Sequence, residues 1–316
     1  MSTSAFDPAH SPLSLDPAKI NRLAVELESR LGHNAKIVGI LEIGSFAKHE
    51  GVPCSDSDLR VYAESPDAYF YQTRTNNQEE IRLADITNLE KRAFAEQCGN
   101  LPWETYEWFN FNGPNSSELS NLFGLSLEFG VADVRFTEFR LKRIDRHCLE
   151  EHQMILQSNI IFDPNGILER WQNTLGNVFH QTMGDYYQER YLNHPASEIY
   201  LYLKPSEMDA EKVKKSGQIL WIKWAVRAIR DAVCSKVYQK TGRFIFKKDD
   251  ILDFCMNHLP QHFGLIKQLY DWKTDPVVRS EMVAQFVADP TPFYEEFRTL
   301  TPKVEKIIED VNSLIL

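Results

Sequence analysis

The spacing of apolar residues changes once along this chain, near Asn165, and that change limits the folds open to it. Before it, short apolar runs bounded by Gly, Pro and Asp/Ser clusters read as strands: AKIVGILEIGS (35–45), DLRVYAES (58–65), EEIRLADIT (79–87) and NIIF (159–162). LSLEFGVADVRFTEFRL (125–141) reads as a further strand or strand pair, with Asp133 inside it. Helical spacing occupies DPAKINRLAVELESRLG, where Asp16 suits an N-cap and Pro17 the first turn, and RLKRIDRHCLEEHQMIL (140–156). Between them, residues 88–118 combine a helical stretch with a Trp/Tyr/Phe-rich loop. After residue 165 every periodic segment is helical, including QILWIKWAVRAIRDAVCSKVYQKTG and PFYEEFRTLTPKVEKIIEDVNSLIL. The expectation is an α+β chain: a mixed sheet with helices over 16–165, then an all-helical domain over 166–316. A Ser/Pro-rich start, 1–15, reads as a flexible tail.

With 316 residues, 43% hydrophobic and 25% charged, the chain can build two cores. Its formal net charge of −10 argues against a nucleic-acid partner, because gripping phosphate backbones favours a basic surface. Five scattered cysteines without CxxC or Cys/His spacing read as reduced thiols of a cytoplasmic protein. The first residues lack the basic and apolar regions of a secretory signal, and no run is apolar enough to span a bilayer.

Residues 41–64, LEIGSFAKHEGVPCSDSDLRVYAE, hold the strongest chemical signal. Strand alternation sends Asp56, Asp58 and Arg60 to one face. Adjacent carboxylates repel unless a cation sits between them, and a hard divalent ion such as Mg²⁺ relieves that repulsion while keeping positions for phosphate oxygens. Gly44 lets a phosphate approach the backbone, and Ser45 would offer a hydroxyl and free N–H groups at a helix start. A third acid is expected, to lower the pKa of an attacking hydroxyl directly or through metal. Asp133, in an apolar strand with Arg135 as its alternating neighbour, is the first candidate. Asp85 is its rival and Glu128 a distant third.

GSFAKHEGVPCSDSDLRV resembles the glycine–serine and paired-aspartate signature of the polymerase beta-like nucleotidyltransferase superfamily. VADVRFTEFRL and NIIFDPNGIL are similar to later segments of the aminoglycoside nucleotidyltransferases, especially the streptomycin 6-adenylyltransferase type. The motif-level resemblance covers residues 37–64 and, more weakly, 125–168. It implies Mg²⁺-dependent transfer of a nucleoside monophosphate, AMP first among them, from ATP or another NTP to an acceptor hydroxyl, with release of pyrophosphate. It implies that Asp56 and Asp58 hold two metal ions, that Asp133 ligates the catalytic metal or acts as base, and that Gly44 and Ser45 hold the β/γ-phosphates.

Other residues carry open readings. Arg60 and Arg135 suit either phosphate contacts or ion pairs. Lys223, in a strongly apolar helix, suits either a triphosphate contact or a snorkelling surface lysine. Trp103, Tyr106, Trp108 and Phe109 suit packing or stacking on a ring-shaped ligand. Asp163 and Gly166 of FDPNG suit a turn. The acidic balance fits a small cationic acceptor such as an aminoglycoside. Transfer to a protein or RNA, or nucleotide binding without catalysis, are the alternatives. The helical half offers surface for a homodimer.

Overall fold

The structure, a computed structural model, describes residues 9–52, 55–71, 89–97, 108–110, 114–143, 146–176 and 210–316. The strand expected at 79–87, Asp85, Trp103 and Tyr106 lie outside these residues. The described chain is α+β, with a small mixed sheet in its first half and helices throughout its last third. Among the described residues no helix is long and apolar enough to cross a membrane.

The chain divides into two compact units. One comprises His10–Ala47 and Asp56–Leu175; the other includes Lys48–Ser55 and Gly176–Leu316. The first begins with α1 (Pro17–Leu31), capped by Asp16, whose carboxylate accepts from the Ala18 and Lys19 N–H groups. β1 (Lys36–Ile43) ends in a single helical turn, α2 (Gly44–Ala47). β2 (Ser57–Glu64) follows, then β3 (Tyr69–Tyr71), a helical stretch α3 over 89–97, β4 (Trp108–Asn110) and α4 (Pro114–Phe123). β5 (Leu127–Asp133), α5 (Val134–Leu141), α6 (Arg146–Leu156), β6 (Asn159–Phe162) and α7 (Ile167–Gly176) complete it.

The main sheet has the order β5-β2-β1-β6. β1 is antiparallel to both β2 and β6, while β2 and β5 run parallel. β3 and β4 form a separate parallel pair. Period-two alternation sorts the apolar residues onto two faces. Ile37, Ile40, Leu59, Val61, Phe129 and Val131 pack with Leu23 and Leu27 of α1. Val38, Leu41, Tyr62 and Ala132 pack with Ile155, Leu168 and Trp171. Gly39 permits the close approach of α7, since a Cβ there would stand 2.6 Å from Leu168 Cγ.

Three features depart from the sequence expectations. Residues 134–141 are helix, not strand, because Asp133 ends β5 and its carboxylate caps the Arg135 and Phe136 N–H groups. Within the stretch expected to be a tail, Ser11 and Leu13 are fully buried, and the Ser11 N–H donates to the Glu42 carboxylate at 3.3 Å. The boundary between the units falls at 175/176, with Lys48–Ser55 grouped with the helices. The FDPNG turn forms as expected: Asp163 caps α7 through the Ile167 and Glu169 N–H groups, and Gly166 has φ +65°.

The helical unit contains α8 (Ala210–Ser216), α9 (Leu220–Thr241), α10 (Lys248–His258), α11 (Pro260–Thr274), α12 (Pro276–Ala288) and α13 (Thr291–Ser313). α9 is its central element, burying Trp221, Val226, Ile229 and Val233. Trp221 stacks on Phe297 of α13 at 4.4 Å and donates its indole N–H to Thr301. The Lys248 N–H at the start of α10 donates to the Lys48 carbonyl.

Candidate functional site

The β1–β2 pairing places Ile43 opposite Asp58, so the glycine–serine turn and the second aspartate meet at one end of the sheet. Gly44 has φ +74°, a left-handed conformation in which side-chain-bearing residues are strained. Asp58 packs against its bare Cα: a Cβ there would collide with Asp58 Oδ2 and stand 2.7 Å from Cγ. Asp56, exposed one residue before β2, accepts a hydrogen bond from the Ser126 hydroxyl, and the Ser57 N–H donates to the Ser126 carbonyl at 2.8 Å. These bonds tie the start of β2 to the start of β5.

The parallel β2–β5 register decides which acid joins Asp58. It pairs Asp58 with Glu128 and Ala63 with Asp133. Register partners on parallel strands share a face at about 4.8 Å spacing, so Glu128 lies beside Asp58. Asp133 lies five residues further along, about 16 Å away at strand rise. It is fully buried and closed by its own partner: Arg135 donates from Nε at 3.1 Å and from Nη2 at 2.7 Å. Arg135 also donates to the Ala68 carbonyl and lies over the Tyr69 ring at 4.2 Å. Asp133 and Arg135 therefore form a helix-capping ion pair distant from Asp58, which corrects the first choice of third acid and the phosphate reading of Arg135.

Arg60 shares the face of Asp58 but is engaged elsewhere. Its Nη2 donates to both oxygens of Glu151 of α6, at 3.1 and 3.3 Å. Glu151 is 5% exposed and also accepts from the Tyr62 hydroxyl at 3.0 Å and from Arg140 Nη1 at 3.4 Å. Burial alone would push the Glu151 carboxyl up, but Arg60 and then Arg140 hold it below its ordinary value. The sequence expectation of Arg60 as a phosphate ligand gives way to this buried ion pair.

In the helical unit, Lys223 is exposed on α9. A buried charge cluster lies in the same unit. Glu50, 3% exposed, accepts from Arg230 Nη1 at 3.2 Å to each oxygen and from Lys273 Nζ. Arg230 also donates to Asp231 at 3.1 Å. Burial lowers the Lys273 pKa, and Glu50 opposes that shift while Arg230 and Lys223 add to it.

Beside Gly44, Asp58 and Glu128 lie on neighbouring strands and one sheet face, with Asp56 at the strand entrance. Among the described residues no three His, Cys, Asp or Glu side chains converge as a ready ligand group, so Asp58 and Glu128 form the pair the backbone supports. The sequence ranks Glu128 only third among the candidate acids, and gives Glu50 and Glu151 no role. For Glu128 a signal existed: it is the first acid after the turn that opens β5, as Asp58 is in β2. For Glu50 and Glu151 no local signal exists, since their partners are distant in sequence. No protein-family model matches the chain, and no curated protein matches it significantly.

Proposed function

We propose that the chain is a Mg²⁺-dependent nucleotidyltransferase of the polymerase beta-like type, moving a nucleoside monophosphate from an NTP, ATP first, to a hydroxyl of a small cationic acceptor in the cytoplasm. One observation carries the reading: the Gly44–Ser45 turn touches the Asp58 carboxylate, and Glu128 stands beside Asp58 on the next strand. Asp58 and Glu128 would hold the metal, with Asp56 at its edge. The bound ion would neutralise phosphate charge and lower the pKa of the attacking hydroxyl. Gly44, having no side chain, leaves the room that the Asp58 carboxylate fills, and Ser45 would offer a hydroxyl to the phosphate oxygens. The formal charge of −10 favours a cationic small molecule over nucleic acid as acceptor.

The test is pyrophosphate release from each NTP with Mg²⁺ and a panel of aminoglycosides, other amine-rich alcohols, tRNA and proteins. Release that depends on both metal and acceptor, and falls at least about a hundredfold in Asp58→Asn, is expected. Turnover that survives Asp58→Asn would remove Asp58 from the site and the proposal with it.

A further inference from the structure

Lys48 is the cation left over in the charge cluster of the helical unit. Four charged groups bear on its amine: Arg230 and Asp231 of α9, Lys273 of α11, and Glu50 two residues along its own loop. The Cys234 thiol of α9 faces the same cluster. Both acids are already bonded. Glu50 accepts from Arg230 Nη1 at 3.2 Å to each oxygen and from Lys273 Nζ. Asp231 accepts from Arg230 Nε at 3.1 Å and from Arg227 Nε at 3.3 Å. Among the described residues, the Lys48 amine makes no ion pair or hydrogen bond. Lys48 is half-buried, and its unbonded nitrogen is not one of the sealed polar atoms of the described residues, so solvent reaches it. Its backbone is fixed, because the Lys48 carbonyl accepts from the Lys248 N–H at 2.9 Å. Without Lys48, Arg230 and Lys273 balance Glu50 and Asp231; protonated, Lys48 adds a third cation in a poorly solvated place. Burial and then Arg230 pull its pKa down to about 8, with Lys273 acting in the same sense and Glu50 and Asp231 against it. Near pH 8 a large share of the amine is therefore neutral, with its lone pair available.

We propose that Lys48 is an acylation site of this chain: its amine takes the acyl group of a small acyl phosphate. The neutral nitrogen attacks the carbonyl carbon and forms the N–C bond. The C–O bond to phosphate breaks, phosphate leaves with the electron pair, and the surplus proton on nitrogen passes to water. The product amide carries no charge, so the cluster is left with its two cations and two carboxylates in balance. The half-buried position favours a small donor over one with a bulky leaving group. The inference is independent of the metal reading of Asp58 and Glu128.

The experiment treats the full native chain with acetyl phosphate in short pulses and reads acetylation of each lysine by peptide mass spectrometry. Lys212 and Lys303, both exposed, are the comparators. At pH 8 Lys48 is expected to react at least about fivefold faster than either, because the gain in neutral amine exceeds the loss of nucleophilicity that accompanies a lower pKa. Its rate should rise with pH to a plateau just above about pH 8. In denaturing urea the cluster is gone, and Lys48 should react at the comparators' rate, without that plateau. The wild-type protein serves throughout, so no variant has to fold. A native Lys48 rate no higher than the comparators', a preference that survives in urea, or a rate that still climbs tenfold per pH unit beyond about pH 9 overturns the proposal.

Discussion

Asp58 rests directly on the Cα of Gly44, leaving no room for a side chain there: a Cβ would stand 2.7 Å from Asp58 Cγ and 2.9 Å from its Cβ. The same glycine sits at φ +74°. Gly44→Ala therefore meets two obstacles. The backbone term is about 1–2 kcal/mol, and the steric term displaces the Asp58 carboxylate. The expected result is a melting temperature lower by a few degrees together with loss of Mn²⁺ binding. Calorimetry and metal titration on the same preparation check both. Mn²⁺ binding at wild-type strength in Gly44→Ala would show that the contact with Asp58 has no bearing on a metal.

How far the sequence disclosed this arrangement depends on the range of the interactions. α1, β1, β2 and β6 are written locally, in the Asp16–Pro17 cap and in runs such as KIVGILEI and SDLRVYAE. The meeting of Gly44 with Asp58 is nearly local too, because β1 and β2 are successive strands. The place of Glu128 beside Asp58 was only weakly legible, since Glu128 ranks behind Asp133 and Asp85 in the sequence. It depends on the parallel register of β2 with β5, set by chain folding across some sixty residues, and Asp133 mimics a strand acid until its role as the α5 cap is seen. VRFTEFRL has the Val/Phe content of a strand, and the capping bonds of Asp133 override that propensity. The grouping of Lys48–Ser55 with the helices was equally hidden, since Glu50 meets Arg230 and Lys273 about two hundred residues downstream.

Exchanging the two rival acids separates catalysis from stability. Asp133→Asn weakens the buried bonds to Arg135 and the α5 cap, so unfolding free energy falls by about 1–3 kcal/mol. Its pyrophosphate release per folded molecule stays close to wild type. Glu128 is exposed, so Glu128→Gln leaves stability within about 0.5 kcal/mol while release falls at least about tenfold. Urea unfolding and single-acceptor kinetics on both variants provide the comparison. The opposite pattern, activity lost in Asp133→Asn and kept in Glu128→Gln, would return the third-acid role to Asp133.

Glu50 gives the helical unit a defined acid sensitivity. Burial would push its carboxyl up, but Lys273, then Arg230 and Lys48, outweigh burial and hold it at about 2, against an ordinary 4.5. Between those values the unfolded chain takes up a proton that the folded chain refuses, so stability falls as pH falls. The contribution is complete above pH 4.5, is lost by about pH 2, and amounts to about 3 kcal/mol. Glu50→Gln leaves Arg230 and Lys273 without their shared counter-charge and should cost about 3 kcal/mol at pH 7. Urea unfolding at pH 7, 5, 4 and 3 should show a steeper acid loss for wild type than for Glu50→Gln. Parallel slopes would mean that other carboxylates govern acid unfolding.

Lys48 carries the opposite sign. Burial and then the nearby Arg230 lower its pKa from 10.5 to about 8, against the pull of Glu50 and Asp231. At pH 7 the fold holds this ammonium at a disadvantage relative to the unfolded chain. Lys48→Met keeps the aliphatic stem and removes the charge, so it should stabilise the protein at pH 7 by about 1–2 kcal/mol, the half-buried position softening the full shift. Between pH 8 and 10.5 the wild-type fold has released a proton that its unfolded chain still binds, so wild-type stability gains with rising pH. Lys48→Met lacks that gain, and its advantage should narrow by pH 10. Urea unfolding of both proteins at pH 7 and pH 10 measures the difference directly. A less stable Lys48→Met at pH 7 would show that attraction to Glu50 and Asp231 outweighs burial and Arg230.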